Sequence, residues 1–158
     1  MLANPGSLLA VLDRTVTAMG ARMLSDWLAS PLTDIDQIDA RLDAVGELAG
    51  DESARALFRE RLRGVYDIER LLARVTTGRS SPRDLCFIGR TLTDLPHLKQ
   101  SIGALQSPLL GELNGQLELC PDVRDQLQAS LVDDCPLTSR DGGFIRSGCN
   151  AELDELRE

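Results

Sequence analysis

Apolar residues recur at helical spacing along most of this chain. Leu8, Leu9, Val11 and Leu12 form a short first run closed by Asp13. A new turn opens at Thr17 or a near neighbour. Met19, Met23, Leu24, Trp27 and Leu28 follow at intervals of four, one, three and one, which puts them on one side of a helix. Ser30-Pro31 ends that helix, because a residue before proline is pushed away from helical angles. Thr33 and Asp36 stand three apart, close to a capping box with Asp in place of Glu or Gln. Ile35, Ile38, Leu42 and Val45 then predict the buried stripe of a further helix.

Gly50 reads as a helix stop and Asp51-Glu52-Ser53 as a restart. Ala54, Leu57, Phe58, Leu62 and Val65 make the next stripe, with Arg55, Arg59 and Arg63 on the opposite face. Gly64 breaks this helix. Asp67 caps another, which carries Ile68, Leu71, Leu72 and Val75 and ends at Gly78. Ser81-Pro82-Arg83-Asp84 combines a cap, a proline at the first helical position and an acid at the positive end of the helix dipole. Leu85, Ile88, Leu92 and Leu95 follow; Pro96 interrupts or restarts the pattern, which Leu98, Ile102 and Leu105 continue. Ser107-Pro108 and Cys120-Pro121 start two more helices. Pro136, Gly142, Gly143 and Gly148 then break the periodicity around a β-like Phe144-Ile145. Asn150 caps a last helix that runs to Glu158.

The fold class expected is all-α: an irregular multi-helix bundle with a loop or β-like segment near 140–148. Composition agrees, with 42% hydrophobic residues but only 3% aromatics, so Leu, Ala, Val and Ile must fill the interior. The 158 residues suffice for one domain with a core. Net charge is −8, and it is uneven: residues 1–79 carry 10 basic and 12 acidic side chains, residues 80–158 carry 7 and 13. Such a surface repels a phosphate backbone unless basic groups are segregated. No apolar run reaches the ~20 residues of a membrane span, and MLANPGS lacks the features of a signal peptide. A cytoplasmic location is the expectation. Cys86, Cys120, Cys135 and Cys149 form no C-x-x-C pair and only one histidine is present, so reduced thiols are expected rather than a zinc site.

The opening stretch GSLLAVLDRTVTAMGARMLSDWLASPL resembles the start of the core, or lever, domain of the MutS family of DNA mismatch repair proteins. The matching positions are Gly6 to Leu8, Leu12 with Asp13, Thr15 with Thr17, Gly20 with Arg22, and Trp27, Leu28 and Pro31. Arg41 to Val45 (RLDAV) matches the next family landmark. Ser81 to Leu85 and Arg140 to Arg157 match later ones in the same order. Cys149 departs from the pattern, standing where the family has tyrosine.

The resemblance implies the first part of a lever domain, a single partial domain over 1–158 with its core at about 7–150. The helix at 151–158 then leads toward an inserted DNA clamp. It implies a mechanical role, coupling an ATPase to that clamp. The implied parent binds mismatched DNA, uses ATP/ADP and Mg, recruits a MutL-type factor and forms a homodimer. Leu12, Asp13, Thr15, Thr17, Gly20, Arg22, Trp27, Pro31 and Arg41 are then structural motif positions. Burial of Trp27 in particular would make Trp27→Ala cost roughly 3–5 kcal/mol.

Candidate chemistry is sparse. No G-x-x-x-x-G-K-[ST] occurs, and Lys99 is the only lysine, so the chain has no cradle for nucleotide phosphates. No cofactor, metal or catalytic residue is expected here, and this segment is not expected to be an enzyme. Phe58-x-Glu60 matches the family's mismatch-reading letters, but Phe58 lies on a helix stripe and reads as core. Arg55, Arg59 and Arg63 could make a weak DNA or partner contact; a solvated helix face is the simpler reading. The acids lie at caps and exposed positions, and His97 has no adjacent partner suggesting a triad. The alternative function is a self-sufficient all-α interaction scaffold, against which the lack of internal repeats and the short last helix count.

Overall fold

Most helix starts in this protein are set by a side chain that accepts a free N–H of the first turn, and the helices that begin at Pro108 and Pro121 start at a proline instead. A computed structural model describes residues 6–157. The helices are α1 (Leu8–Leu12), α2 (Ala18–Ala29), α3 (Ile35–Gly50), α4 (Glu52–Arg63), α5 (Ile68–Thr76), α6 (Pro82–Gly103), α7 (Pro108–Gln116), α8 (Pro121–Ser130) and α9 (Ala151–Glu155). A 3-10 turn occupies Ser139–Asp141. The described residues contain no named strand, only an isolated antiparallel bridge between Leu131 and Ile145. The fold is all-α, as expected, with the extended segment at Phe144-Ile145.

Ser7, Thr17, Asp51 and Asn150 each accept an N–H of the helix that follows. Asp51 closes α3 and opens α4. Ser81 and Asp84 form a reciprocal box: the Asp84 N–H donates to Ser81 Oγ at 3.2 Å and the Ser81 N–H to Asp84 Oδ2 at 2.9 Å. Two local expectations change. Asp34, not Thr33, caps α3, accepting from the Gln37 N–H at 3.0 Å. Pro96 does not interrupt its helix, since α6 continues through it to Gly103. A proline removes one backbone donor and crowds the carbonyl four residues back, but a long helix with packed flanks can absorb that. The last helix ends at Glu155 with Leu156 as its C-cap and does not run on as expected; positions 1–5 and Glu158 lie outside the described residues.

The chain forms two compact units. One comprises residues 6–67 with Pro96–Glu118, and the other Ile68–Leu95 with 119–157. In the first unit α3 packs on α4 and α7, and α1 on α2. Its buried apolar residues are Ala44, Leu98, Ile102 and Leu110. The predicted stripes of α2 and α3 are present but lie largely in solvent: Met23 is 54% exposed, Trp27 45%, Ile35 72% and Leu42 61%. The face of α3 that turns inward carries Ile38 from that stripe together with Ala40, Arg41, Ala44, Glu47 and Leu48.

The second unit closes around Cys86, Leu131 and Cys135, with Leu85, Leu127, Val132, Phe144 and Ile145 packed against them. Leu71 and Ile88 are also buried. Gly89 faces Leu127 of α8, and a Cβ there would make an ordinary contact at 3.5 Å from the Leu127 Cβ. Cys86 and Cys135 are joined by a disulfide, with Cα atoms 6.3 Å apart. That overturns the expectation of four reduced thiols, because residues 49 apart in sequence are brought within bridging distance by the fold. Cys120 and Cys149 are free and exposed.

Candidate functional site

The motif positions from Leu12 to Arg41 lie in the first unit, where several of them hold turns and helix starts, while the later landmarks at 81–85 and 140–157 lie in the second. Asp13 accepts from the Thr15 N–H at 2.9 Å and from Thr15 Oγ1 at 2.6 Å, which closes the turn between α1 and α2. The Thr15 hydroxyl, then its N–H, holds the Asp13 carboxyl below its ordinary pKa. Thr17 Oγ1 accepts the Gly20 N–H at 3.0 Å. Gly20 must lack a side chain for this cap, since a Cβ would lie 2.9 Å from Thr17 Oγ1. The T-x-T and G-x-R letters thus encode one turn and one helix start.

Arg22 uses the next turn of α2 for a longer reach. Its Nη1 and Nη2 donate to Asp67 Oδ2 and Oδ1 at 2.8 and 2.7 Å. This bidentate fork joins α2 to the residue just before α5. Asp67, read from sequence as a helix cap, has its carboxylate engaged by this arginine. Trp27 carries the Arg41 guanidinium over its ring at 3.8 Å from the centroid. Two motif positions 14 apart in sequence therefore meet on a ring that is 45% exposed. Leu12 is 47% exposed and Pro31 is exposed in the connection between α2 and α3.

The arginine row on α4 is divided. Arg55 Nη1 donates to the Leu48 and Ala49 carbonyls at 2.8 and 3.0 Å, so it caps the end of α3. Arg59 is partly buried and Arg63 exposed on the same helix. Phe58 is half-buried on α4. Three contacts had no sequence signal. The Glu47 carboxylate accepts the Gln106 and Ser107 N–H groups at 2.6 and 2.7 Å, capping α7 from across the unit. Lys99 Nζ donates to the Leu117 carbonyl at 2.6 Å, at the other end of α7. In the second unit, Arg74 clamps Asp84 bidentately at 3.0 and 2.7 Å. The Arg74 hydrogen bond is the main reason the Asp84 carboxyl stays below its ordinary pKa; burial works against it.

Among the described residues no group of three His, Cys, Asp or Glu is placed to hold a metal ion. An open groove of about 430 Å³ beside α9 is lined by Ser130, Ile145, Cys149, Asn150, Glu152, Leu153 and Leu156. It brings one thiol and one carboxylate together without a histidine. No helix of the described residues is long and apolar enough to cross a membrane. What the contacts build is a set of fixed helix junctions, so the class defined is a helical structural domain.

The family pattern described as MutS domain III matches residues 2–158. The chain is 52% identical over 156 residues to the DNA mismatch repair protein MutS of Rhodopirellula baltica, covering 99% of this chain and 18% of that protein. It is 45% identical to MutS of Myxococcus xanthus, over 96% of this chain and 17% of that one. The Halothermothrix orenii MutS is 39% identical, over 98% and 17%. The chain therefore belongs to the MutS family, as its domain III, and spans less than a fifth of the length of these relatives.

Proposed function

We propose that this chain is the lever segment of a DNA mismatch repair protein, transmitting movement between an ATPase domain and a DNA clamp. The observation that carries the reading is the match to domain III from residue 2 to 158. The junctions support it mechanically. A lever needs helices whose angles change as units, and packed interfaces shift between discrete arrangements. The Arg22–Asp67 fork and the Glu47 cap of α7 hold helix ends together in that manner.

On this reading 1–158 is one partial lever domain, with residues 151–158 leading toward the clamp. ATP or ADP with Mg binds elsewhere in the parent, in keeping with the lack of a phosphate loop and with Lys99 being engaged at the end of α7. The parent works in the cytoplasm as a homodimer, binds mismatched DNA and engages a MutL-type factor. The motif residues from Leu12 to Arg41 serve as structural positions. Arg55 is occupied by α3, which leaves Arg59 and Arg63 for a weak phosphate or acidic-partner contact.

Duplex binding by this chain, with and without a mismatch and across a salt series, tests the proposal. The lever reading expects no binding even at low salt, and no nucleotide hydrolysis. Affinity that falls steeply with salt and ignores the mismatch would replace it with direct phosphate contact by the Arg59 and Arg63 face. Mismatch-selective binding would assign the reading role to Phe58.

A further inference from the structure

We infer that Cys86 and Cys135 form a redox-operated tie that sets how firmly the segment between α8 and α9 is held to α6. The inference goes beyond the lever reading and does not depend on it. Its basis is placement. Cys86 stands in the second turn of α6, and Cys135 lies in the irregular stretch after α8, 49 residues later. Their Cα atoms are 6.3 Å apart, within the range a disulfide spans without backbone movement. Both belong to one buried apolar cluster with Leu131.

The tie can open without loss of the local fold, because other contacts hold the same segment. Arg83 Nε donates to the Cys135 carbonyl at 3.3 Å, and Arg90 Nη2 donates to the Asp133 carbonyl. The Val132 N–H donates to the Phe144 carbonyl at 3.0 Å and the Arg146 N–H to the Ser130 carbonyl at 2.8 Å. Arg146 also donates from Nε to the Leu131 carbonyl. Reduced, the segment rests on hydrogen bonds and apolar contact that can open locally. Oxidised, it is also covalently joined to α6. The two exposed thiols, Cys120 and Cys149, lie outside this cluster.

Hydrogen peroxide suffices as the oxidant. Cys86, at 8% exposure the more accessible of the pair, supplies the first thiolate. Its sulfur attacks one peroxide oxygen, the O–O bond breaks, and the departing hydroxide takes a proton to become water, leaving a sulfenic acid. The Cys135 thiolate then attacks the Cys86 sulfur, the S–O bond breaks, and a second water leaves. Two thiols and one peroxide give one disulfide and two waters; the sulfurs lose two electrons and the peroxide gains them. Burial of both sulfurs confines the reaction to moments of local opening. Reduction by a dithiol reverses the change by exchange.

The test compares the same chain after dithiothreitol and after hydrogen peroxide, with alkylation, peptide mapping and amide hydrogen exchange. Four alkylated cysteines are expected in the reduced chain. The oxidised chain should give one Cys86–Cys135 linked peptide, with Cys120 and Cys149 alkylated. Amide exchange over residues 131–146 should slow at least about tenfold on oxidation, and Cys135→Ala should abolish that difference. A link that forms through Cys120 or Cys149, or the absence of any link, overturns the inference. So does a Cys86–Cys135 link that leaves exchange over 131–146 unchanged. Because the main comparison uses one unaltered chain, it stands even if Cys135→Ala folds poorly.

Discussion

The two units of this chain solve the same packing problem by different means. The second unit encloses an apolar cluster around Cys86, Leu131 and Cys135. The first unit buries Ala44, Leu98, Ile102 and Leu110 but leaves Leu8, Val11, Met23, Ile35, Leu42 and Val45 more than half exposed. Both units also place charged side chains on backbone groups: Glu47, Arg55 and Lys99 in the first, Arg83, Arg90 and Arg146 in the second. The difference teaches that periodic apolar spacing marks a face without saying what covers it. A charge-assisted bond to a backbone N–H is worth roughly 1.5–3 kcal/mol, enough to fix a junction that apolar contact alone leaves open.

The comparison is broken or sharpened by substitutions in each unit, read by chemical denaturation. Leu131→Ala, in the buried cluster of the second unit, should cost about 2–5 kcal/mol, the largest effect. Glu47→Ala should cost roughly 2 kcal/mol, since it strips the Gln106 and Ser107 N–H groups, just before α7, of their acceptor. If Glu47→Ala proved neutral, the first unit would not depend on that clamp for its stability. Trp27→Ala should cost only about 1 kcal/mol, because the ring is 45% exposed and loses partial burial plus one cation–π contact. A cost equal to that of Leu131→Ala would mean the α2 stripe is covered in solution.

Acid sensitivity separates the units more finely. Asp84 is held below its ordinary pKa by Arg74, so its contribution is complete above the unfolded carboxylate value of about 4. It is lost as pH falls through the lower folded value. Asp84→Asn should therefore lower stability at neutral pH by about 1 kcal/mol or less and flatten the decline below pH 4, as a melting series from pH 7 to 3 would record. The smallest effect belongs to Gly20→Ala. Loss of the Thr17 cap, about 1 kcal/mol, should nearly cancel the gain of about 1 kcal/mol from removing a helical glycine. In a Thr17→Ala background the same change should stabilise, so the pair should be non-additive.

Much of the fold was legible because its signals are local. Thr17, Asp51, Ser81 and Asn150 cap the helices that their positions predict. Ser107-Pro108 and Cys120-Pro121 begin α7 and α8 as read, although Ser107 makes no side-chain cap and its own N–H is held by Glu47. The motif letters were legible as a set, but their contacts were not. Nothing in the sequence pairs Arg22 with Asp67, which are 45 residues apart, or Trp27 with Arg41.

By itself the sequence determined the helical class, most helix starts and the family, because caps, prolines and a 3.6-residue period act within a few residues of themselves. Only the tertiary structure decided which faces are buried, that Pro96 stays inside α6, that Glu47 caps α7 and that Cys86 meets Cys135. Those outcomes depend on contacts between residues far apart in the chain, whose free energies are realised only when the helices have docked. No local pattern of residues encodes that distance.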